Sequence, residues 1–310
     1  MPTPIVSVVI PVKDRRESML RCLEALIAQD FTGHEILVLD NESSDGTGEA
    51  CRSRAAQANV PVRVERLSGT VGALRNAGAG LAAGRLLAFT DSDCQPAPGW
   101  LGAGVTALER DPGLGVLQGR TLPGAGTGGP WPATLHVDEP SGHFESANIF
   151  FRRDALLGSA GFDETVGHYW EDTAAGWAVL RGGWRAGFAA DAVVYHEVSY
   201  PGFRWHLARA QRNGNAAEIV RRYPELRREL LWGRWFLRRR NATVAAAAIG
   251  LALAPVRSGA LALALPYALL RGPRTWGRGG VRGAAEAVIY DAALLGGMVR
   301  GSLRHRSVVL

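Results

Sequence analysis

The sequence predicts an α/β protein, a Rossmann-like and mostly parallel sheet with flanking helices, followed by a C-terminal helical segment both apolar and basic. Three observations carry this. Short β-branched runs alternate with helical periodicities over roughly the first 90 residues, the pattern of right-handed βαβ units. The charge is divided: residues 1–200 hold 16 Lys+Arg against 24 Asp+Glu, and residues 201–310 hold 19 against 5. Residues 242–270 carry a single charge, Arg257. With 310 residues the chain is long enough to bury a substantial core.

Ile5–Val12 (IVSVVIPV) reads as a buried parallel strand ended by Pro11 and charges. Arg15–Gln29 places Met19, Leu20, Leu23, Leu26 and Ile27 on one helical face. Glu35–Leu39 is a second strand, closed by Asp40 and the polar turn NESSDGT. A helix over Gly48–Ala58, a strand over Val62–Leu67, a small-residue helix over Val71–Ala83 and a strand over Arg85–Thr90 follow. The Gly/Pro-rich region 111–143 reads as a loop. Strand and helix signals resume at Ser146–Arg152, Glu171–Arg181 and Ala189–His196.

In an open α/β sheet, ligands bind beyond the carboxyl ends of the strands. Asp40 ends the second strand there, and Asp91 and Asp93 follow the fourth as Asp-Ser-Asp. Carboxylates at i and i+2 of an extended turn suit a hard divalent cation, Mn²⁺ or Mg²⁺, that bridges a diphosphate. On spacing alone, a turn-capping Asp pair fits equally well. Asp172 stands at the start of the Glu171–Arg181 helix, where it either projects into a cleft or only caps the helix. Gly124, Gly126 and Gly129 spell GxGxxG, but Pro123 precedes them and Pro130-Trp131-Pro132 follows, so no dinucleotide-binding helix starts there.

The blocks SVVIPVKDR, VLDNESSDGT and GALRNAGAGLAAGRLLAFTDSDCQPAPGWL resemble the nucleotide-sugar half of family 2 glycosyltransferases of the GT-A fold, in order and in spacing. SANIFFRRDALLGSAGFDE and YWEDTAAGWAVLRGGWRAGF are similar to the family's acceptor half. The resemblance covers about residues 5–200. It implies a catalytic domain over 1–202, with a nucleotide-sugar half at 1–100 and an acceptor half at 101–202. It implies that Pro11 lines the base and ribose pocket, that Asp40 bonds the base or ribose, and that Arg75 reaches the nucleotide. Asp91 and Asp93 would hold the donor's ribose, its diphosphate and the metal. Asn148 would sit near the transferred sugar, Asp172 would be the general base, and Glu171 would orient its neighbour or the acceptor. His196 resembles a late His that contacts metal or phosphate in part of the family. Asn41 stands where many members carry a second acid, and Lys13-Asp14-Arg15 replaces a more usual aromatic-Asn-Glu run.

Residues 203–310 form the second part. Trp and Arg beside apolar positions favour a membrane–water interface. Ala242–Val256 and Ala260–Leu270 are each short of the ~20 residues of a simple span. Arg238–Arg240 precede them, and Arg271, Arg274, Arg278 and Arg282 follow. Basic flanks on both sides suit an anionic cytoplasmic leaflet, with the segment peripheral, inserted as a hairpin, or crossing once with a kink. Ala284–Val299 reads as one more amphipathic helix. No secretory leader is read in the first residues, and the three spaced cysteines form neither a disulfide framework nor a zinc pattern, so a reduced, cytosolic body is expected. The acidic first 200 residues exclude a uniformly basic nucleic-acid coat, and no nucleic acid is expected as a partner.

The expectation is an inverting, metal-dependent glycosyltransferase at the cytoplasmic face of the cell membrane. It would take a nucleotide diphosphate sugar donor and a lipid-linked or envelope glycan acceptor. The rivals are a sugar-1-phosphate nucleotidyltransferase, whose Gly-rich basic signature VKDRRES lacks, and a non-catalytic nucleotide-sugar-binding protein.

Overall fold

The computed structural model describes residues 3–126, 128–129, 131–166 and 169–310, with side chains omitted over 272–279. The side chains of Arg274 and Arg278 therefore lie outside the described residues. The chain divides into two compact units, Met1–Ser199 and Tyr200–Leu310.

The first unit is built on eight strands: β1 (Val6–Val12), β2 (His34–Asp40), β3 (Val62–Arg66), β4 (Leu86–Thr90), β5 (Cys94–Pro96), β6 (Leu114–Pro123), β7 (Asn148–Arg152) and β8 (Arg185–His196). They form one sheet in the order β3-β2-β1-β4-β7-β6-β8-β5. The first four strands pair with one another in parallel. Strand β7 runs antiparallel to both β4 and β6, and β5 antiparallel to β8. The helices α1 (Arg16–Ile27), α2 (Thr47–Ala55), α3 (Val71–Leu81), α4 (Trp100–Arg110), α5 (Arg153–Leu157) and α6 (Glu171–Arg181) connect and cover it.

Strand β1 is buried along its whole length. Val8 and Ile10 join one core with Met19, Leu23, Leu26 and Trp100, while Val9 joins a second with Leu74, Phe89, Phe162 and Val179. Alternate side chains thus enter two cores on opposite faces, and an unbroken β-branched run is what a doubly covered parallel strand requires.

The region 111–143 differs from the expected loop, because it contains the ten-residue β6. Its glycines are sites of close packing rather than loop markers. A Cβ on Gly115 would meet the Trp184 side chain at 2.5 Å, and one on Gly119 would meet the Asn148 amide. Among the described residues around Gly124, Gly126 and Gly129 there is no helix.

The second unit carries α7 (Phe203–Arg212), α8 (Ala216–Arg222), α9 (Leu226–Glu229), α10 (Arg239–Leu253), a 3₁₀ segment (Ser258–Ala264) and α11 (Leu265–His305), broken at Gly280, where φ is +57°. Among the described residues no helix is long and apolar enough to cross a membrane. Pro255 and Arg257 end the apolar helix, and the chain turns back.

Candidate functional site

Parallel pairing brings the carboxyl ends of β1, β2 and β4 to one edge of the sheet. Thr90 at the end of β4 is buried and donates its hydroxyl to the Ala147 carbonyl (2.8 Å). The chain then turns through Asp91-Ser92-Asp93, with the Cys94 amide donating to the Asp91 carbonyl (3.1 Å). Strand β5 pairs Cys94 directly with His196 on β8. That register sets His196 Nε2 3.7 Å from Asp93 Oδ1, and Arg15 Nη1 lies 3.3 Å from Asp93 Oδ2. His196 Nδ1 is 2.9 Å from the Glu197 carbonyl, an acceptor only, so Nδ1 carries a proton and donates it there, which leaves Nε2 as the ring nitrogen on the Asp93 side. Burial and the Asp91 carboxylate push the Asp93 carboxyl above its ordinary range, against the pull of His196 and Arg15.

Donor atoms of Asp93, Cys94 and His196 lie within 4.8 Å of one another. A carboxylate beside an imidazole whose other nitrogen is held by the Glu197 carbonyl is a fitting pair for Mn²⁺ or Mg²⁺. Asp91 stands beside them with a third of its side chain open to solvent, and its Oδ1 is taken by Arg75 Nη2 (2.9 Å).

Arg75 does not present its guanidinium to an open nucleotide pocket, as the resemblance implied. It is 3% exposed, and it bridges Asp91 to Glu171, whose Oε1 accepts from Nη1 at 2.9 Å. It also lies 5.5 Å from the centre of the Phe162 ring. Burial works against its charge, but Asp91 and Glu171 outweigh burial and hold its pKa above the ordinary value. The physical reason for the difference is position: Arg75 sits on the inner face of α3, between two acids that need a counter-charge.

Glu171 and Asp172 open α6 as its first two residues. Tyr169 and Trp170 before them both have φ near +78°, a left-handed conformation unfavourable for bulky residues. Trp170 is held there by burial and an edge-on contact with His143. Asp172 Oδ2 accepts from the Ser146 amide (3.1 Å), and Oδ1 from the Thr173 amide (2.7 Å). The segment that supplies Ser146 is fixed on α6 by Thr173 Oγ1 donating to the His143 carbonyl and by Trp177 Nε1 donating to the Gly142 carbonyl. Burial, with the Glu171 and Glu145 carboxylates close by, pushes the Asp172 carboxyl up to about 8 despite Arg75. A part-accessible carboxyl titrating there is suited to exchanging a proton near neutrality.

Three further residues singled out in the sequence are buried. Asn148 is fully buried: its Oδ1 accepts from Trp100 Nε1, and its Nδ2 spends both N–H groups on the Arg120 and Ala192 carbonyls, all at 2.8 Å. It ties β7 to β6, β8 and α4 from inside the core. Asp40 is 2% exposed, with Oδ1 accepting from the Ser43 amide (3.0 Å) and Oδ2 packed under Gly48, where a Cβ would clash. It shapes the turn 41–47 from below rather than facing a base. Pro11 is buried inside β1 opposite Leu39, and the exposed residues at that edge are Lys13, Asp14, Arg15 and Arg16.

Asn41, marked in the sequence only as a departure from the family pattern, clasps the Gly69 backbone with its side chain in both directions (3.1 and 3.2 Å) at the rim above Asp40. Sequence reasoning missed the approach of Arg15 to Asp93 and of Ser146 to Asp172, contacts between distant segments that leave no local signal.

The model of the glycosyl transferase family 2 matches residues 7–168. The chain is 37% identical over 130 residues to glycosyltransferase AglE of Haloferax volcanii, covering 40% of this chain and 42% of that protein. It is 27% identical over 241 residues to a pre-mycofactocin glycosyltransferase of Mycobacterium tuberculosis, covering 71% and 48%. The matches thus span less than half the length of these relatives. Among solved structures, the chain is similar to the mannosyltransferase PcManGT of Pyrobaculum calidifontis in complex with GDP-Man and Mn²⁺, with a TM-score of 0.62 at 19% identity over 99% of this chain and 88% of that one. It is also similar to residues 1–349 of S. aureus TarS in complex with UDP-GlcNAc, with a TM-score of 0.52 at 16% identity over 97% and 92%. These likenesses are of fold, and the fold is the GT-A arrangement expected from the sequence.

Proposed function

Because the chain belongs to glycosyl transferase family 2, we propose that it moves a sugar from a nucleotide diphosphate sugar to an acceptor hydroxyl with inversion at the anomeric carbon. The observation that carries this is the pairing of Asp93 with His196 at the strand edge, beside Asp91, with Arg75 joining Asp91 to the helix that bears Asp172. Nucleotide sugars bound in the similar structures, one with Mn²⁺, support the donor class and a divalent cation.

Asp93 and His196 would hold the cation, with Asp91 on the donor side. When bound, a divalent cation supplies a Lewis acid for the departing diphosphate. Asp172, once ionised, accepts the proton of the acceptor hydroxyl as its oxygen forms a bond to the anomeric carbon. The bond from that carbon to the diphosphate breaks, and its electron pair leaves with the nucleotide. The Ser146 and Thr173 amides keep the Asp172 carboxylate fixed through the transfer. Glu171, locked to Arg75, positions the helix and does not meet the acceptor.

The acceptor in this reading is a lipid-linked or envelope glycan at the cytoplasmic face of the membrane. Its support is the charge of Tyr200–Leu310, 19 Arg against 5 acids, which favours an anionic surface. The test is release of nucleoside diphosphate from a panel of nucleotide sugars with Mn²⁺ and a lipid extract. Turnover that Asp172→Asn abolishes while donor binding persists supports the reading. Pyrophosphate formed from a sugar 1-phosphate and a nucleoside triphosphate, or tight donor binding without any turnover, overturns it.

A further inference from the structure

The second unit contains an apolar element with an unusual boundary. Helix α10 ends after Leu253, the chain turns at Pro255–Arg257, and the 3₁₀ segment folds back along the helix. The return is close: a Cβ on Gly250 would lie 2.6 Å from the Ala260 carbonyl oxygen and 3.0 Å from Leu263. Both roots of this hairpin are tied to one buried carboxylate. Asp291 on α11 pairs with Arg240 at the start of α10 (3.4 Å) and with Arg271 just past the apolar stretch (2.7 Å), and it accepts from Tyr267 Oη (3.0 Å). The base is fixed, and the part beyond it stands out.

That part is apolar on all sides and open. Leu251 is 61% exposed, Val256 84% and Leu269 66%, and Ile249, Leu253 and Leu261 are exposed as well. Ile249 and Leu253 share one face of α10, while Leu251 points the opposite way. A surface-lying amphipathic helix keeps one polar face, and this one has none. Exposed Arg238 and Arg239 stand at the base, and exposed Arg257 at the turn. At about 1.5 Å per residue, residues 248–253 of α10 reach about 9 Å beyond that base, within one leaflet of a hydrocarbon core of about 30 Å.

We propose that residues 248–270 form a monotopic hairpin that sinks, tilted, into one leaflet of an anionic bilayer, with Arg238, Arg239 and Arg257 at the phosphates. The proposal rests on the membrane placement given above and adds the mode, insertion without crossing. Charge complementarity selects lipid over a protein partner: the unit's 19 arginines face only 5 acids, of which Asp291 is buried. The tilt lets the Arg257 side chain reach back to the headgroups, which a charge at the bilayer centre could not do.

The test uses the full chain with vesicles of phosphatidylcholine, with and without phosphatidylglycerol. The expected result is co-sedimentation with the anionic vesicles that survives a high-salt wash, and quenching of an environment-sensitive dye at Leu261→Cys by acyl-brominated lipid. The pair Leu251→Asp and Leu261→Asp should lower partitioning by roughly tenfold or more with the circular dichroism unchanged. Binding that salt removes completely, with no quenching, overturns the hairpin and leaves the membrane placement standing. No binding to either vesicle overturns both. Self-association in solution that the Asp pair abolishes, without vesicle binding, assigns the surface to a second copy of the chain and also overturns the proposal.

Discussion

Arg75 Nη1 lies 2.9 Å from Glu171 Oε1 across 96 residues of sequence, with both side chains buried. The other amine of Arg75 holds Asp91. A single guanidinium therefore fixes the acid that ends β4 against the helix that carries Asp172. Its position makes it a positioning residue, and its loss strands two acids at once.

Arg75→Gln should therefore destabilise the first unit by about 3–5 kcal/mol, the usual cost of removing one partner of a buried ion pair. Urea unfolding followed by tryptophan fluorescence measures it. A midpoint unchanged from the parent would mean that the bridge is dispensable.

Turnover should rise with pH through about 8 and level off above it, because Asp172 must lose its proton to act as a base and burial holds that proton on. Asp172→Asn should cut kcat by about 10²–10⁴ and abolish this limb. The same shift has a sign for stability. A carboxyl whose folded pKa is raised above its ordinary 3.8 disfavours its charged form in the fold, so stability falls as pH climbs from about 4 to about 8. Asp172→Asn should flatten that fall, as read by thermal unfolding across the range.

Cation binding should depend on Asp93 and His196 separately. Asp93→Asn and His196→Ala should each weaken Mn²⁺ binding by about tenfold or more, measured by calorimetry or by the Mn²⁺ electron-spin signal. The raised Asp93 pKa means that affinity increases with pH as Asp93 sheds its proton. Affinity that is independent of both residues would remove the cation from this site.

Asn148→Ala should separate structure from binding. It leaves Trp100 Nε1 and two carbonyls unpaired in the core, which costs about 1–3 kcal/mol for each group left unsatisfied. Donor affinity should not change. A donor KM that rises with stability intact would return Asn148 to the sugar.

What the sequence made legible follows from which signals are local. The β-branched run of β1, the strand ending at Asp40 and the helix beginning at Glu171 are written in contiguous residues, and each stands where expected within about two residues. Strand β6 was hidden because its glycines serve contacts with Trp184 and Asn148 from other elements. The same limit governed the site. Asp93, His196 and Asp172 are polar groups at element ends and lie near the edge where they were sought. Arg75, Asp40 and Asn148 are the same kinds of residue turned inward, and only tertiary packing sets that direction. Nothing in the sequence distinguishes Asp40, under the turn, from Asn41, on its rim.

The three-residue β5 has a consequence for the order of assembly. Its pairing of Cys94 with His196 is what turns the imidazole toward Asp93. A slip of one residue in that register would swing His196 to the other face of the sheet. A ribosome must have delivered residue 196 before the two side chains can meet, so a chain stalled earlier has the nucleotide-side strands but half of the proposed cation site. Metal affinity at that proposed site would then be a completion signal, appearing only once the last strand has docked in the right phase.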